Sequence, residues 1–441
     1  MKPPAKPSAP ARGQERLKDR LPVEIEKPIY GGAFLARVEG KAVFAPLTLP
    51  GEQALARICD EKRGYAVAEA EEILTPSPDR VAPRCRHFGA CGGCHYQHAG
   101  YAAQLQFKEA ILRETFERAG IRAPKEILIL AAEPWAYRNR IRLAFDAAGR
   151  AGYRGRRSHA VVPIAECPIA APMLVKAALT AAQMLRKSAR AFSPTEIALF
   201  CDGGENALLA GFSTRGGTKT GFEDFACALN GEIPAVKGVE LAAEDGAGSR
   251  PRLLAQWGEP SLVYPAAGFD YRVDRGSFFQ VNRRLVDALA ERVTGGAGGA
   301  LAWDLFAGVG LFARRLAENF GRVVAVEAAP EAIEALQENL KGTNATAVRA
   351  STLDFLRRSR QKESPDLIVA DPPRTGLGAE TTAILAEIAA PAMVYVSCDP
   401  ATLARDLRAL TGSGYAIESL ALADLFPQTF HLETVVHLRR S

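Results

Sequence analysis

The stretch AMVYVSCDP, residues 392–400, is an apolar run of strand length that stops at Cys398 and turns at once into Asp-Pro. A thiol there is either a small buried hydrophobe or a nucleophile presented at a sheet edge. Acidic side chains occupy comparable places: Asp304 in ALAWD, Glu327 in VVAVE, Asp371 in DLIVAD, and Glu433 just ahead of TVVHL. A nucleophile with carboxylates nearby has the parts for covalent catalysis coupled to proton transfer. A second group of thiols is spaced differently. Cys85, Cys91 and Cys94 read C-x5-C-x2-C, and IAECPIA places Cys167 before a proline, whereas Cys59, Cys201 and Cys227 are scattered. Four thiolates can hold zinc or an iron-sulfur cluster.

The elements that must position these groups can be read coarsely. The chain has 441 residues, 48% of them hydrophobic, and a net charge of +5, enough for two or three packed domains. No segment approaches the roughly 18 uninterrupted apolar residues of a membrane span, and the start has no apolar secretory stretch, so cytoplasmic residence without a membrane partner is expected. Structural disulfides are not expected in that compartment. Residues 1–20 carry six Lys or Arg against two acids, with several prolines, the composition of a disordered basic leader. Over residues 21–75, short alternating runs broken by YGG, EGK, LPGE and KRG predict a small β-barrel. Its text IEKPIYGGAFLARVEGKAVFAPLTLPGE resembles a TRAM domain, an OB-like module that binds RNA. Residues 76–275 read as a mixed α/β middle region. It holds the cysteine loop and a helix from Tyr101 to Ala119 whose Leu105, Ala110, Ile111, Leu112 and Phe116 can share a face. In the last segment, residues 276–441, strands and helices alternate from Ala300 onward, which predicts a parallel sheet covered on both faces.

Within that segment, DLFAGVGLFA puts Gly308 and Gly310 on a strand-to-helix loop, where glycine lets a ligand approach the backbone. The third glycine of a dinucleotide fingerprint is missing, since Ala313 holds its position. Glu327 ends the next strand, placed to accept hydrogen bonds from ribose hydroxyls, and ADPPR marks another strand end. Together these motifs resemble the S-adenosylmethionine-dependent methyltransferase fold, a Rossmann-like α/β fold that binds its ligand at the carboxyl edge of the sheet.

Asp371-Pro372-Pro373 alone is compatible with methylation of an exocyclic amine, but an amine carries its own lone pair and leaves Cys398 without a task. Carbon 5 of uracil is different. It becomes nucleophilic only after a thiolate adds to carbon 6, and a base must later remove the carbon-5 proton. Glu433 offers that base, with His431 two residues earlier. The runs SFFQVN, DLFAGVG, ADPPRTG, VSCDPATLARDL and DLFPQTFHLETV, from Ser277 to Val435, are similar to the successive signatures of the RNA uracil-5-methyltransferase family. The resemblance implies Cys398 as nucleophile and Glu433 as proton acceptor. It implies Gln280, Phe306, Glu327 and Asp371 as positions that contact S-adenosylmethionine, with Asp371 also able to hydrogen-bond the uracil edge. Two positions depart from the pattern. Leu311 stands where relatives often carry Asn, which leaves a backbone contact at most. S-C-D-P replaces S-C-N-P, and the charge of Asp399 disfavours a neighbouring thiolate unless it points away. His431 reads as a packing or hydrogen-bonding residue.

Members of that family carry a 4Fe-4S cluster on an arrangement resembling Cys85, Cys91, Cys94 and Cys167, so the resemblance implies such a cluster here, with zinc as the alternative. Four thiolates would close it, which favours a structural or RNA-positioning role over radical chemistry; His87, His95 and His98 flank it as non-ligands. Between Tyr137 and His159, seven arginines (138, 140, 142, 150, 154, 156 and 157) face one acid, Asp146, interleaved with aromatics. On a strand the first three would form one cationic face for phosphates, with rings for stacking bases. RNA is the expected partner, and no protein partner is implied. The target uridine must be flipped out of a folded loop to expose carbons 5 and 6. The TRAM-like barrel and the cysteine set are similar to family members that act on 23S rRNA, favoured over tRNA. A rival from another class is a non-catalytic RNA-binding protein with a methyltransferase-like domain.

Overall fold

A computed structural model describes residues 20–187, 192–244, 246 and 251–440. The basic leader expected over residues 1–20 lies outside them, apart from Arg20, which opens the first strand. The chain divides into two compact units, Met1–Val81 and Ala82–Ser441.

In the first unit five strands, Arg20–Pro28, Ala33–Val38, Lys41–Pro46, Gln53–Glu61 and Tyr65–Thr75, close into a barrel in the order first, second, third, fifth, fourth. Strict alternation turns Leu21, Val23 and Ile25 inward from the first strand. Glu39 and Gly40 both take positive φ, 52° and 80°, the two-residue turn whose twist suits the hairpin they join. Closure leaves few free strand edges. At one end Glu52, fully buried, accepts from Arg80 Nε and Nη2 at 2.5 and 2.7 Å and from the amides of Leu49 and Ser77. Burial alone would raise its pKa, but these donors outweigh it and hold the carboxyl below its ordinary range.

The second unit contains two large sheets. One has seven strands, in the order Arg252–Gly258, Val236–Ala243, Leu208–Thr214, Glu196–Cys201, Arg140–Phe145, Ala151–Arg154, Val161–Pro163. Helices Pro172–Lys187 and Phe222–Glu232 pack with Leu143, Leu199, Phe212 and Leu241 of this sheet in one apolar core. The other sheet has eight strands, in the order Ala345–Arg349, Phe320–Glu327, Gly299–Leu305, Leu367–Ala370, Ala392–Ser397, Glu433–Arg440, Tyr415–Ala423, Leu128–Leu130. The first five are parallel, as the strand and helix alternation requires. Glu433–Arg440 runs antiparallel to both its neighbours. The last strand, Leu128–Leu130, comes from the middle segment and pairs in parallel with Tyr415–Ala423, so residues 76–275 contribute directly to the C-terminal sheet. Helix Tyr101–Arg118 forms where periodicity places it, yet its buried side includes Gln104 and Lys108 beside Phe107, Ile111, Leu112 and Phe116, while Ala110 faces solvent. No helix among the described residues is long and apolar enough to cross a membrane.

Candidate active site

Strand direction brings the thiol and the last carboxylate together. Ser397 pairs with Thr434 in the antiparallel ladder, and Thr434 Oγ1 donates to the Ser397 carbonyl at 3.0 Å. One residue further, Cys398 leaves the carboxyl end of its strand as Glu433 enters the amino end of the next. Had Glu433–Arg440 run parallel, its first residue would lie at the opposite edge. The same edge receives Phe306 after Gly299–Leu305, Glu327 at the end of Phe320–Glu327, and Asp371 after Leu367–Ala370.

The electrostatics of this edge are those of crowded anions. Burial pushes the half-exposed Cys398 thiol up to about 12, and the charges of Glu433 and Asp371 add to the shift, with Arg374 opposing them. Burial raises Glu433 well above its ordinary value, Asp371 adds to that, and Arg374 again opposes. Asp371 is pushed up to about 7 by withdrawal of its carboxyl from water. Arg374 is thus the cation favouring both ionised forms, a residue to which the sequence reading assigned no role. Its position three residues after Asp371 was the available signal, since a reactive thiol needs a cation nearby. Asp399 does not join the anions. It caps helix Pro400–Gly412, its Oδ1 accepting from the amides of Ala401 and Thr402 at 3.1 and 2.9 Å, and so it is turned from the thiol. His431 precedes the strand, with its ring 5.6 Å from Phe426 and 4.2 Å from Phe430, and burial followed by Arg374 lowers it to about 3. A neutral, ring-packed imidazole agrees with a packing role.

A resting thiol near 12 is ~10⁻⁴ ionised at pH 8. Alkylation of Cys398 by iodoacetamide is therefore expected to accelerate steadily with pH through the alkaline range. Asp371→Asn removes one of the anions that raise the thiol, so it lowers the pKa and speeds alkylation at pH 8 several-fold. Peptide mapping of labelled protein reads this directly, and an unchanged rate would mean that Asp371 does not act on the sulfur.

The glycine loop lies beside this group. Phe306 holds φ +65, a conformation costly for a non-glycine residue and found where function demands it. Gly308 and Gly310 also have positive φ; a Cβ on Gly308 would meet nothing within 4 Å, whereas one on Gly310 would strike Leu336 at 2.8 Å. Gly308 thus faces open space and Gly310 faces packing. Glu327 Oε2 accepts from the Gly308 amide at 2.8 Å, and its Oε1 accepts from Ala328 and Ala329. Asp304 Oδ2 accepts from Ala313, while its fully buried Oδ1 has no hydrogen-bond partner, and burial, with Asp371 and Glu327, raises it well above the usual range. Gln280 is buried, its carbonyl accepting from Asn139 Nδ2 at 2.9 Å. Leu311 is a core residue whose carbonyl accepts from Tyr271 at 3.2 Å, so only its backbone is polar here.

Cys85, Cys91, Cys94 and Cys167 line one cavity together with Arg138 and Tyr153. The loop is tied across it: His87 Nε2 accepts from the Ala165 amide at 3.1 Å and Glu166 Oε1 accepts from the Arg86 amide at 3.2 Å. Burial raises Cys91 to about 11 and Cys94 to about 12, with Cys167 and Cys85 adding to the first shift and Cys167 and Cys91 to the second. Among the described residues no three His, Cys, Asp or Glu side chains are gathered as a metal-ion site; the sulfurs stand around the cavity.

The arginines do not form one exposed face. The strand begins at Arg140, so Arg138 lies before the alternation starts. Arg138 turns toward the cysteine cavity, over the rings of Tyr137 and Phe426. Arg140 stacks on Phe200 at 4.4 Å, leaving its Nε and Nη2 without partners. Arg142 and Arg154 approach Glu196, each at 3.6 Å, and Arg150 pairs with Asp146. Glu196 comes from a neighbouring strand, outside the window that gave the one-acid count.

Comparison with known proteins gives a consistent answer. Residues 259–441 match the family model for tRNA (uracil-5-)-methyltransferase. An uncharacterized RNA methyltransferase of Streptomyces avermitilis is 33% identical over 96% of this chain and 98% of its own. The 23S rRNA (uracil(1939)-C(5))-methyltransferase of Aeromonas salmonicida is 35% identical over 91% of this chain and 92% of its own. Among solved structures, the Pyrococcus abyssi tRNA (uracil-54, C5)-methyltransferase in complex with S-adenosyl-L-homocysteine superposes with a TM-score of 0.77 at 23% identity, over 94% of this chain and 99% of that one, a likeness of fold. With relatives above 30% identity along nearly its whole length and the signature residues gathered at one sheet edge, the chain belongs to the S-adenosylmethionine-dependent RNA uracil-5-methyltransferase family.

Proposed function

We propose that the protein methylates carbon 5 of a uridine in 23S rRNA through a covalent adduct on Cys398. The observation that carries this reading is the meeting of Cys398, Glu433 and Asp371 at one strand edge beside a glycine loop. When bound, S-adenosylmethionine supplies an electrophilic methyl group. Gln280, Phe306, Glu327 and Asp371 would hold it, Glu327 offering its carboxylate to ribose hydroxyls and Phe306 the backbone turn that opens the loop. Asp371 hydrogen-bonds the uracil edge. Cys398, its S–H proton released to solvent, adds to carbon 6 as the thiolate, so that carbon 5 gains the electron pair with which it captures the methyl group as the methyl–sulfonium bond breaks with its electrons kept by the departing sulfur. Glu433 then accepts the carbon-5 proton, the C–H pair forms the ring double bond, and the C6–S bond breaks with its electrons returning to Cys398. A raised carboxyl pKa suits Glu433 to that task. For RNA, the exposed guanidiniums of Arg142, Arg154 and Arg157 offer phosphate contacts, and the N-terminal barrel supplies a second surface.

The rRNA preference follows the relatives named for 23S rRNA, which match over 95% and 91% of this chain. Mass mapping of 23S rRNA and tRNA from a deletion strain tests it. Loss of one 5-methyluridine in 23S rRNA is expected, and loss confined to tRNA would overturn the choice.

The donor set around the cysteine cavity fits a 4Fe-4S cluster. Four thiols line one cavity, the ligand type and number that such a cluster takes, and thiols that raise one another's pKa are stabilised as thiolates by cations among them. Cys85, Cys91, Cys94 and Cys167 would hold it, as a structural group. Protein purified anaerobically is expected to contain about four irons per chain, lost in Cys94→Ser or Cys167→Ser; an iron-free wild type that binds zinc instead would refute the cluster.

A further inference from the structure

The segment leading into Glu433 is gripped from outside itself. Three successive carbonyls each accept a hydrogen bond: Phe426 from Lys108 Nζ at 3.0 Å, Pro427 from the Tyr137 hydroxyl at 3.0 Å, and Gln428 from the amides of His95 and Tyr96 at 2.9 and 3.0 Å. Gln104 holds the Gln428 residue reciprocally, its Nε2 donating to Gln428 Oε1 and its Oε1 accepting from the Gln428 amide, both at 3.0 Å. Upstream, Asp424 receives Lys108 at 2.5 Å and Tyr101 at 2.9 Å, and neither side chain of the Lys108–Asp424 pair is exposed. Gln428 keeps φ +68, which a residue with a side chain retains only where its surroundings enforce it. A buried polar network this fully satisfied fixes position more than it adds stability. The two amides on the Gln428 carbonyl directly follow Cys94 in sequence, and Glu433 stands five residues beyond Gln428.

We infer that this network is a brace through which the cysteine loop and helix Tyr101–Arg118 hold Glu433 in place for proton removal. The inference rests on the proposed role of Glu433 as proton acceptor. Gln104, Tyr137 and the loop are positioning residues, since Cys398 sits on a different strand. Loosening the brace therefore spares thiol addition and methyl capture and slows the last step alone.

The test uses full-length protein, S-adenosylmethionine and substrate RNA with Gln104→Met, Tyr137→Phe and Cys94→Ser. Three quantities are read: release of methylated product, covalent protein–RNA adduct on a denaturing gel, and the rate of adduct formation on 5-fluorouridine RNA, which reports the steps before elimination. Release is expected to fall about tenfold in Gln104→Met, which loses both hydrogen bonds to Gln428, with adduct accumulating on ordinary RNA and the fluorouridine rate unchanged. Tyr137→Phe loses only a hydroxyl and is expected to move the same way by less, which keeps the test open if Gln104→Met fails to fold. Cys94→Ser is expected to accumulate adduct as well. Native release by the variants overturns the brace, and so does a parallel fall of fluorouridine trapping and release, which marks general damage. Glu433→Gln run alongside separates the two ideas. Adduct in Glu433→Gln but not in the brace variants defeats the brace alone; adduct in the brace variants with native release by Glu433→Gln defeats the acceptor assignment and leaves the brace serving another base.

Discussion

Cys398→Ala is expected to abolish methyl transfer in a protein that still folds and binds RNA. Carbon 5 of a neutral uracil is too poor a nucleophile to displace a methyl group from a sulfonium, and within the second unit no other described cysteine lies at this edge: Cys201 is in the seven-stranded sheet, Cys227 is in helix Phe222–Glu232, and Cys85, Cys91, Cys94 and Cys167 surround their own cavity. Loss of a covalent nucleophile costs on the order of 10⁴-fold or more. Tritium transfer to substrate RNA, with RNA binding measured on the same sample, checks this. Methylation retained within an order of magnitude would return the protein to amine chemistry, which needs no thiol. In the free enzyme Cys398 is held as a thiol by burial, with Glu433 and Asp371 adding to the shift, a form less open to oxidation than a thiolate.

Glu433→Gln has the second largest effect, of a different kind. Glutamine keeps the shape but cannot accept a proton, so addition and methyl capture proceed and the adduct has no exit. Turnover is expected to fall by about 10²- to 10⁴-fold, with protein–RNA adduct accumulating on ordinary uridine RNA. A denaturing gel distinguishes this from Cys398→Ala, which forms no adduct. Rapid release of methylated product would remove Glu433 from the mechanism. The variant also takes away an anion that raises the thiol, so first-step alkylation is expected to quicken even as turnover collapses.

What could be read from sequence was whatever local pattern determines. The parallel core followed from strands alternating with helices, and the barrel from short runs between turn signals. Cys398 and Glu433 were legible as residue types at strand ends. Their meeting depends on the antiparallel direction of Glu433–Arg440, which no short window contains. Asp399 illustrates the same limit: its charge beside a cysteine reads as unfavourable until the helix that follows claims it as a cap. Gln104 and Lys108 lie on the buried side of an amphipathic helix because their partners, Gln428 and Asp424, are over three hundred residues away. Periodicity assigns such residues to solvent. The arginine face was over-read for the converse reason, since Glu196 lies outside the counted window and arrives by strand pairing.

The proposed chemistry requires that sulfur of Cys398 bond to the ring it activates. RNA carrying 5-fluorouridine at the target position tests it most directly, because fluorine at carbon 5 cannot leave as a proton and halts the reaction before elimination. Incubation with S-adenosylmethionine, proteolysis and mass mapping are predicted to find the methylated fluorouridine attached to the peptide containing Cys398. Methylated RNA with no adduct, or an adduct on any other residue, would contradict it.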